Sequence, residues 1–259
     1  PAVPTPAPVP DGVIADSVSG RFALYDGSIY YASSDSICVL EPGANSTGIL
    51  LLADTPSRLE IVDGVLYYLA VGQRDEYFSP LSDAEPPKNT DGFLFCGGYP
   101  ELHAEELSEN QTMRTKIRDN IRQGMPVLAE CGGYMYLSES MEDMDGNVYP
   151  MVQAVPGNVY RTKKLGRFGY ITLTPNTKDT FRNGGNPVRG HEFHYFDSTD
   201  CGSAWHAAKP LRKRNWECIH ATKRMMAGFP HLYYMASPHL ALEFLEQCVS
   251  YRKEQEKTR

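Results

Sequence analysis

The chain has 259 residues, and 41% of them are hydrophobic, which supports a real core in one large domain or two small ones. A formal net charge of −7 argues against non-specific binding to nucleic acid. No apolar run approaches the length of a membrane span and no secretory signal is visible, so a cytoplasmic protein is expected.

The six cysteines are scattered along the chain, and none belongs to a Cys-x-x-Cys pair. Disulfide frameworks are typical of short secreted chains, so these thiols are expected to be reduced. The histidines His191 and His194 are three positions apart, but no cluster of further ligands accompanies them. No metal site is therefore predicted.

The first part of the chain is predicted to be a linker followed by a β-rich segment. Residues 1–20 form the linker, because the prolines of residues 1–12 exclude a helix and a central strand. Such a linker suggests a preceding domain. Residues 21–75 form the β-rich segment, in which Asp63-Gly64 indicates a hairpin. Strands are expected over Arg21–Tyr25, Gly48–Ala53 and Leu59–Val71, while Ser28–Leu40 fits either a helix or a strand.

Residues 76–250 are predicted to form one domain built on a β-α-β unit. Gly92–Phe95 is a buried strand, and helices are expected over Ala104–Asn110 and Met113–Gln123, before the apolar run of residues 127–130. This order implies parallel pairing in a doubly wound sheet. The glycine-rich turns after both strands then lie at the carboxyl edge, where such sheets bind ligands.

Elsewhere in this domain, strands separated by loops are expected before a closing helix. The basic residues 211–216 favour a solvated loop, with an anion or partner contact as the alternative. Residues 251–259 are predicted to be a charged tail that frays. Strands are expected over Glu76–Pro80, Val148–Val155, Phe168–Thr174 and Glu192–Phe196, and the helix over Ser237–Val249.

The chemistry is predicted to centre on Cys131, which ends the second apolar run and is followed at once by Gly132 and Gly133. A strand, a sharp turn and a helix are the natural interpretation. A thiol at such a turn stands clear of the sheet, the helix dipole stabilises its thiolate, and backbone N–H groups face a developing oxyanion. A buried free cysteine at a strand end is the alternative.

A thiol nucleophile also needs a base, and spacing alone does not choose one among the histidines. His231 lies in an apolar, strand-like context before the closing helix, which equally suits a satisfied core histidine. The seven histidines are His103, His191, His194, His206, His220, His231 and His239.

Several motifs, in the right order, resemble the glutamine amidotransferase domain of the cobyrinic acid a,c-diamide synthases. The resemblance covers residues 76–248. It implies a class I, triad-type amidotransferase on a flavodoxin-like, doubly wound, mainly parallel α/β sheet, with residues 21–75 as an extra β-rich segment. The matching stretches are Cys96–Leu102, Ala129–Leu137 and Gly190–Tyr195, joined less specifically by Phe78–Leu81 and Gly166–Tyr170.

The resemblance assigns the nucleophile and the oxyanion hole. Cys131 corresponds to the cysteine that attacks the side-chain amide of glutamine and forms a glutamyl thioester. Gly98 and Gly132 would offer the N–H groups of the oxyanion hole. Cys96 takes the place of the first glycine in the family's motif, which a site that uses only the backbone tolerates.

The resemblance also selects a base. Residues 227–237 resemble the segment that carries the catalytic histidine, which favours His231 over His194. Many triad amidotransferases have an acid two positions beyond this histidine, but here that residue is Tyr233. The orienting acid is therefore unassigned, a Cys–His dyad is compatible with the sequence, and Glu192 and His194 are candidates for an orienting or substrate-side role.

The synthetase half of the family has no counterpart in this sequence, which contains no Gly-x-x-x-x-Gly-Lys-Ser/Thr loop. In the family, an ATP-binding domain activates the carboxylate that is amidated. No cofactor is therefore expected in this chain, and ATP and Mg²⁺ are expected only on a synthetase domain or subunit. The other expected partner is L-glutamine; a homo-oligomer is compatible with the sequence, and neither nucleic acid nor a membrane is expected.

The resemblance implies a glutaminase that supplies ammonia for amidating the carboxylates of a tetrapyrrole such as cobyrinic acid. Two alternatives stay open. The unassigned acid, Cys96 and the unmatched N-terminal third would also suit a non-catalytic binding or regulatory module on the same fold. A cysteine hydrolase of another kind, such as a peptidase, would use the same turn.

Overall fold

The computed structural model describes residues 77–176, 181 and 185–258, together with the backbone of six strands between residues 22 and 69. The predicted linker, residues 1–20, lies outside the described residues. The chain divides into two compact units, Pro1–Tyr77 and Phe78–Arg259, and each is described by itself.

The described strands of the first unit all pair antiparallel. They are β1 (Phe22–Tyr25), β2 (Ser28–Ala32), β3 (Ser36–Leu40), β4 (Gly48–Leu52), β5 (Ser57–Val62) and β6 (Val65–Leu69). One sheet has the order β1-β2-β3-β4, and the other consists of β5 and β6. Val62 pairs with Val65, in agreement with the predicted hairpin. Ser28–Leu40, which fitted a helix or a strand, contains the two strands β2 and β3.

The second unit contains thirteen described strands and four described α-helices. The strands are β7 (Phe93–Phe95), β8 (Val127–Glu130), β9 (Ser140–Glu142), β10 (Val148–Pro150), β11 (Asn158–Arg161), β12 (Gly169–Pro175), β13 (Val188–Glu192), β14 (Phe196–Ser198), β15 (Trp205–Ala208), β16 (Asn215–Cys218), β17 (His220–Ala221), β18 (Met225–Gly228) and β19 (His231–Leu232). The helices are α1 (Ala104–Glu109), α2 (Gln111–Arg122), α3 (Gly132–Leu137) and α4 (Pro238–Thr258).

The central sheet of this unit has the order β17-β18-β8-β7. Strands β7, β8 and β18 are parallel, and β17 pairs antiparallel with β18. The predicted β-α-β unit is confirmed, because α1 and α2 connect the parallel strands β7 and β8. Asn110 caps α2, since its side chain accepts a hydrogen bond from the N–H of Met113 at 3.2 Å.

The first three residues of β8, 127–129, are buried on both faces of the sheet, which explains why they are all apolar. Val127 and Ala129 belong to one apolar cluster, together with residues of α1, α2 and α3. Leu128 belongs to the other cluster, with residues of β12, β13 and β15. Alternation along the strand therefore sends the side chain of the next residue but one, Glu130, to the same side as Leu128.

A second sheet, with the order β16-β15-β12-β13-β19, is antiparallel throughout. A third sheet has the order β10-β9-β11-β14. The prediction of a mainly parallel sheet therefore fits the central sheet alone. The expected strand over Phe168–Thr174 is confirmed as β12, which lies in the middle of the antiparallel sheet.

Two other strand predictions are wrong in their extent. The described part of Glu76–Pro80 contains no strand: residues 77–79 are irregular and a turn begins at Pro80, held by the N–H of Ser79, which donates to Asp83 Oδ2 at 2.6 Å. The strand expected over Val148–Val155 ends at Pro150. The backbone beyond it bonds to the end of α3, since the N–H of Val152 donates to the carbonyl of Tyr136 at 3.0 Å.

The strand expected over Glu192–Phe196 is split. Strand β13 ends at Glu192 and pairs with β12, while β14 begins at Phe196 and pairs with β11 in another sheet. The residues between them carry the chain from one sheet to the other. The alternation of buried and exposed side chains continues through this crossing, so the sequence pattern alone looks like one strand.

Helix α4 continues through the segment predicted to be a frayed tail. Tyr251 is 4% exposed in the core, and the Arg252 Nε donates to Asp91 Oδ2 at 2.7 Å. These contacts hold the helix beyond its expected end at Val249. Among the helices of the described residues, none is both long and apolar enough to cross a membrane.

Candidate active site

Cys131 occupies a sharp turn between β8 and α3, as the sequence predicts. Its φ is 49° and its ψ is −110°, a conformation that residues with a side chain rarely adopt. Backbone hydrogen bonds hold it there: its N–H donates to the carbonyl of Gly228 at 2.8 Å, and its carbonyl accepts from the N–H of Met135 at 2.9 Å. Such a turn lifts the thiol off the sheet edge.

The loop after β7 lies against this turn. A Cβ built on Gly132 would be 3.0 Å from the backbone nitrogen of Gly98 and 2.8 Å from Pro100 Cδ. The two backbone segments that the sequence assigns to an oxyanion hole are therefore neighbours. They meet because β7 and β8 are adjacent parallel strands whose carboxyl ends share an edge.

His231 reaches the same place from the antiparallel sheet. A Cβ built on Gly97 would lie 3.1 Å from His231 Cε1, 4.0 Å from His231 Nε2 and 3.8 Å from Cys131 Cβ. The pKa of His231 is raised to about 10, first by its hydrogen-bonding interaction with the Cys131 thiol and next by that with the Glu130 carboxylate, against the opposing effect of burial. The structure thus brings together a thiol and a histidine separated by a hundred positions in the sequence.

Glu130 is a neighbour of His231 that the sequence motifs did not single out. Its Oε2 lies 3.6 Å from His231 Nδ1, an ion-pair distance, and its Oε1 accepts a hydrogen bond from the Tyr234 hydroxyl at 2.5 Å. The Glu130 side chain is 14% exposed, and that of His231 is 28% exposed. Burial and the nearby Glu130 charge raise the pKa of Tyr234, so its hydroxyl keeps the proton that it donates.

The sequence profile of the CobB/CobQ-like glutamine amidotransferase domain matches residues 65–238, well over half of the chain. The chain belongs to this family. The matched range includes the turn at Cys131 and strand β19 with His231. The candidate site of this amidotransferase domain is therefore the edge where Cys131 and His231 meet.

Curated relatives carry the name cobyrinate a,c-diamide synthase. The protein from Fusobacterium nucleatum is 42% identical over 179 residues, which are 68% of this chain and 39% of the relative. The protein from Caldanaerobacter subterraneus is 38% identical over 176 residues, 67% of this chain and 39% of the relative. The matched part of this amidotransferase chain thus spans about two fifths of the length of these relatives.

Solved structures of glutamine amidotransferases are also similar. One, described as a glutamine amidotransferase, has a TM-score of 0.45 and 14% identity, and the match covers 62% of this chain and 80% of the other. Another, described as a GMP synthase subunit from Thermoplasma acidophilum, has a TM-score of 0.39 and 17% identity, with 65% and 78% covered.

Glu192 and His194, the other candidates from the sequence, lie in a separate buried pair of the amidotransferase domain. His194 Nε2 is 2.8 Å from Glu192 Oε2, and the indole N–H of Trp216 donates to Glu192 Oε1 at 3.1 Å. His194 Nδ1 is 2.5 Å from the carbonyl of Phe196. Both nitrogens of His194 therefore face acceptor oxygens. These contacts fix the crossing between β13 and β14.

His191 is the histidine that the structure does place beside His231. The two residues pair across β13 and β19, and their rings stack with centroids 4.8 Å apart. Burial, followed by the charge of His231, lowers the pKa of His191. A neutral His191 ring next to a protonated His231 avoids repulsion between two like charges. Within the described residues, no group of three or more His, Cys, Asp and Glu side chains is arranged to hold a metal ion.

Proposed function

We propose that this domain hydrolyses L-glutamine and supplies ammonia to an ATP-dependent synthetase domain or subunit. The observation that carries the proposal is the meeting of the strained Cys131, His231 and the Gly98 backbone at one sheet edge. A cytoplasmic location suits it, because a catalytic thiol needs a reducing compartment. The flavodoxin-like fold of the resembling family would place the site at this same edge.

The reaction starts from an ion pair. A raised His231 pKa keeps the imidazole protonated at neutral pH, and the positive charge stabilises the adjacent Cys131 thiolate. The thiolate attacks the side-chain amide carbon of glutamine, and the amide oxygen becomes an oxyanion. In this proposal, the backbone N–H groups of Gly98 and Gly132 donate hydrogen bonds to that oxygen.

The histidine then acts as an acid before it acts as a base. His231 gives its proton to the departing nitrogen, the C–N bond breaks, ammonia leaves, and a glutamyl thioester with Cys131 remains. A water molecule next loses a proton to His231 and attacks the thioester carbon. The C–S bond breaks and glutamate is released, so that one glutamine and one water give one glutamate and one ammonia.

The acceptor of the ammonia is a carboxylate on a tetrapyrrole such as cobyrinic acid, in line with the name of the relatives. Amidation of a carboxylate needs activation by ATP and Mg²⁺. The proposal assigns that step to a synthetase partner and leaves this chain with no cofactor of its own. The ammonia would pass from the Cys131 edge to that partner.

The test is glutamine hydrolysis by Cys131→Ala, with Cys201→Ser as the matched control. Cys201 donates a hydrogen bond to Asp197 Oδ1 at 3.2 Å, a contact that serine retains. We expect Cys131→Ala to lose all measurable glutamate release and Cys201→Ser to keep the wild-type rate. A glutamine-analogue alkylator should label Cys131 in the wild type.

Three results would contradict the proposal. Hydrolysis that survives Cys131→Ala in the assembled enzyme would rule out the assigned nucleophile. A folded wild-type chain whose Cys131 resists the alkylator would indicate the non-catalytic module instead. Equal competition by small amides other than glutamine would indicate a cysteine hydrolase of another kind.

A further inference from the structure

The candidate site has no acid at the position where many triad amidotransferases carry one. Tyr233, two positions after His231, is 55% exposed and has no carboxylate to offer. Glu192 cannot serve His231 either, since its two oxygens are engaged by His194 and Trp216. An imidazolium held by nothing but a thiolate would be free to rotate, which is unfavourable for proton transfer.

The geometry of β8 places the Glu130 side chain next to His231. Because successive side chains of a strand alternate, Glu130 points to the same side as Leu128, where Leu232 and Tyr234 also pack. These two residues belong to the segment that carries His231. The Glu130 carboxylate thus reaches His231 on the Leu128 side of the strand, although Glu130 directly precedes Cys131 in the sequence.

The Glu130 carboxylate has one oxygen for each neighbour. Oε1 accepts from the Tyr234 hydroxyl at 2.5 Å, and Oε2 faces His231 Nδ1 at 3.6 Å. With Nδ1 facing the carboxylate, Nε2 is the nitrogen left for the Cys131 thiol. The Tyr234 bond fixes the carboxylate in place and would keep it aimed at Nδ1 throughout a turnover.

We propose that Glu130, fixed by Tyr234, is the third member of the site and acts as a positioning residue that orients His231 and balances its charge. The proposal rests on the function proposed above. It assigns the orienting acid to the residue before the nucleophile, instead of to a position after the histidine. Glu130 and Tyr234 do not touch the substrate; they act through His231.

The decisive variant is Glu130→Gln, which keeps the size of the side chain and its bond with Tyr234. We expect kcat for glutamine hydrolysis to fall about 100-fold, with KM nearly unchanged, since substrate binding does not use Glu130. Tyr233→Phe is the matched control for the tyrosine, because it removes an exposed hydroxyl next to Tyr234, and it should keep the wild-type kcat.

A second readout separates positioning from a merely structural role. Histidine side-chain NMR of the folded chain, assigned with His231→Gln, follows the protonation of His231. We expect His231 to lose its proton at lower pH in Glu130→Gln than in the wild type, since the carboxylate favours the charged ring. The titratable side chains around His231 and Glu130 are Cys131, His191, Cys96 and Tyr234.

Tyr234→Phe completes the test, because it keeps the Glu130 carboxylate but removes the hydrogen bond that holds it. We expect a loss of about fivefold in kcat, and a smaller further loss when the substitution is added to Glu130→Gln, since both act through one contact. Should Glu130→Gln fail to fold, Tyr234→Phe with an unchanged kcat overturns the inference.

The outcomes separate this inference from the proposed function. Wild-type hydrolysis together with a fully active Glu130→Gln overturns the inference alone. A loss of activity in Glu130→Gln with an unchanged His231 titration also overturns it, because a structural effect would then explain the loss. A wild-type chain that neither hydrolyses glutamine nor labels at Cys131 contradicts the proposed function itself.

Discussion

Gly133 is the residue that lets α3 begin directly over the end of β7. A Cβ at this position would lie 2.4 Å from the carbonyl oxygen of Phe95 and 2.6 Å from its carbonyl carbon. Both atoms belong to the backbone of β7, a strand of the central sheet, so they cannot move aside without shifting that sheet. Gly133, the second glycine after Cys131, is therefore required because the Phe95 backbone comes too close to leave room for a side chain.

We expect Gly133→Ala to destabilise the second unit by about 3 kcal/mol and to abolish glutamine hydrolysis, because the turn would open as α3 moves away. The control is Gly166→Ala, since a Cβ there meets open space. That variant should stay within about 0.5 kcal/mol of the wild type. Urea unfolding and glutamate release measure both effects, and a stable Gly133→Ala with normal activity would contradict the stated contact.

The charge of His231 also makes stability depend on pH. Its pKa in the folded chain is raised to about 10 from the ordinary value of 6.5, so the folded chain holds the proton more tightly than the unfolded chain. The stability gained from this proton is fully present below pH 6.5 and is lost as the pH rises towards 10. This window lies on the alkaline side of neutrality.

We therefore expect the wild type to be more stable than His231→Gln below pH 6.5, with the difference shrinking steadily as the pH approaches 10. Urea midpoints measured across this range for both chains test the sign. His239→Gln is the matched control, because it makes the same substitution at an exposed histidine. A difference that grows with pH would contradict the charged state of His231.

At the residue scale, the sequence could predict the turn at Cys131 but not the contact between Glu130 and His231. The proposed nucleophile lies in a local pattern, an apolar run followed by two glycines, which needs no knowledge of the rest of the chain. Glu130 stands within that same pattern and looks like an ordinary strand end. Its contact with His231 arises only when the segment of residues 228–234 returns beside β8, a tertiary event.

At the scale of elements, local signals predicted β8, α2 and α3 well, because glycines mark their ends: Gly124 follows α2, and Gly132 begins α3 just after β8. The antiparallel strands were harder to predict. Strands β13 and β14 share one alternating pattern across a change of sheet, and the choice of partner strand is set by packing. Helix α4 was predicted too short, because the charged residues that follow Tyr251 made its end look like an exposed tail.

Helix α4 offers a direct test of that correction. Tyr251 is 4% exposed in the core shared with α1, α2 and α3, so Tyr251→Ala should destabilise the unit by about 3 kcal/mol. Lys253 lies two positions further along the helix, and its side chain is exposed. Lys253→Ala should therefore change the free energy of unfolding by less than about 0.5 kcal/mol. Urea unfolding of both variants measures the two changes in stability. Equal, small effects of both substitutions would restore the prediction of a frayed tail.

At the scale of the whole molecule, the length of the chain matters as much as its site. The matched part of the chain spans about two fifths of the length of the curated relatives, and the sequence contains no Gly-x-x-x-x-Gly-Lys-Ser/Thr loop. The proposed site can release ammonia, whereas amide formation needs an activated carboxylate, which in turn requires ATP. Hydrolysis and amidation should therefore be separable.

With this chain alone, we expect glutamate and free ammonia to form in a 1:1 ratio, because each turnover breaks one amide bond. Adding ATP, Mg²⁺ and a tetrapyrrole carboxylate should leave that rate unchanged and should consume no ATP. Ammonia, glutamate and ADP measured in the same reaction test this, with Cys131→Ala as the blank. ATP consumption coupled to amide formation by the chain alone would contradict the assignment of the synthetase step to a partner. Since the site depends on the turn and not on a nucleotide, loss of hydrolysis in Cys131→Ala should be the same with and without ATP.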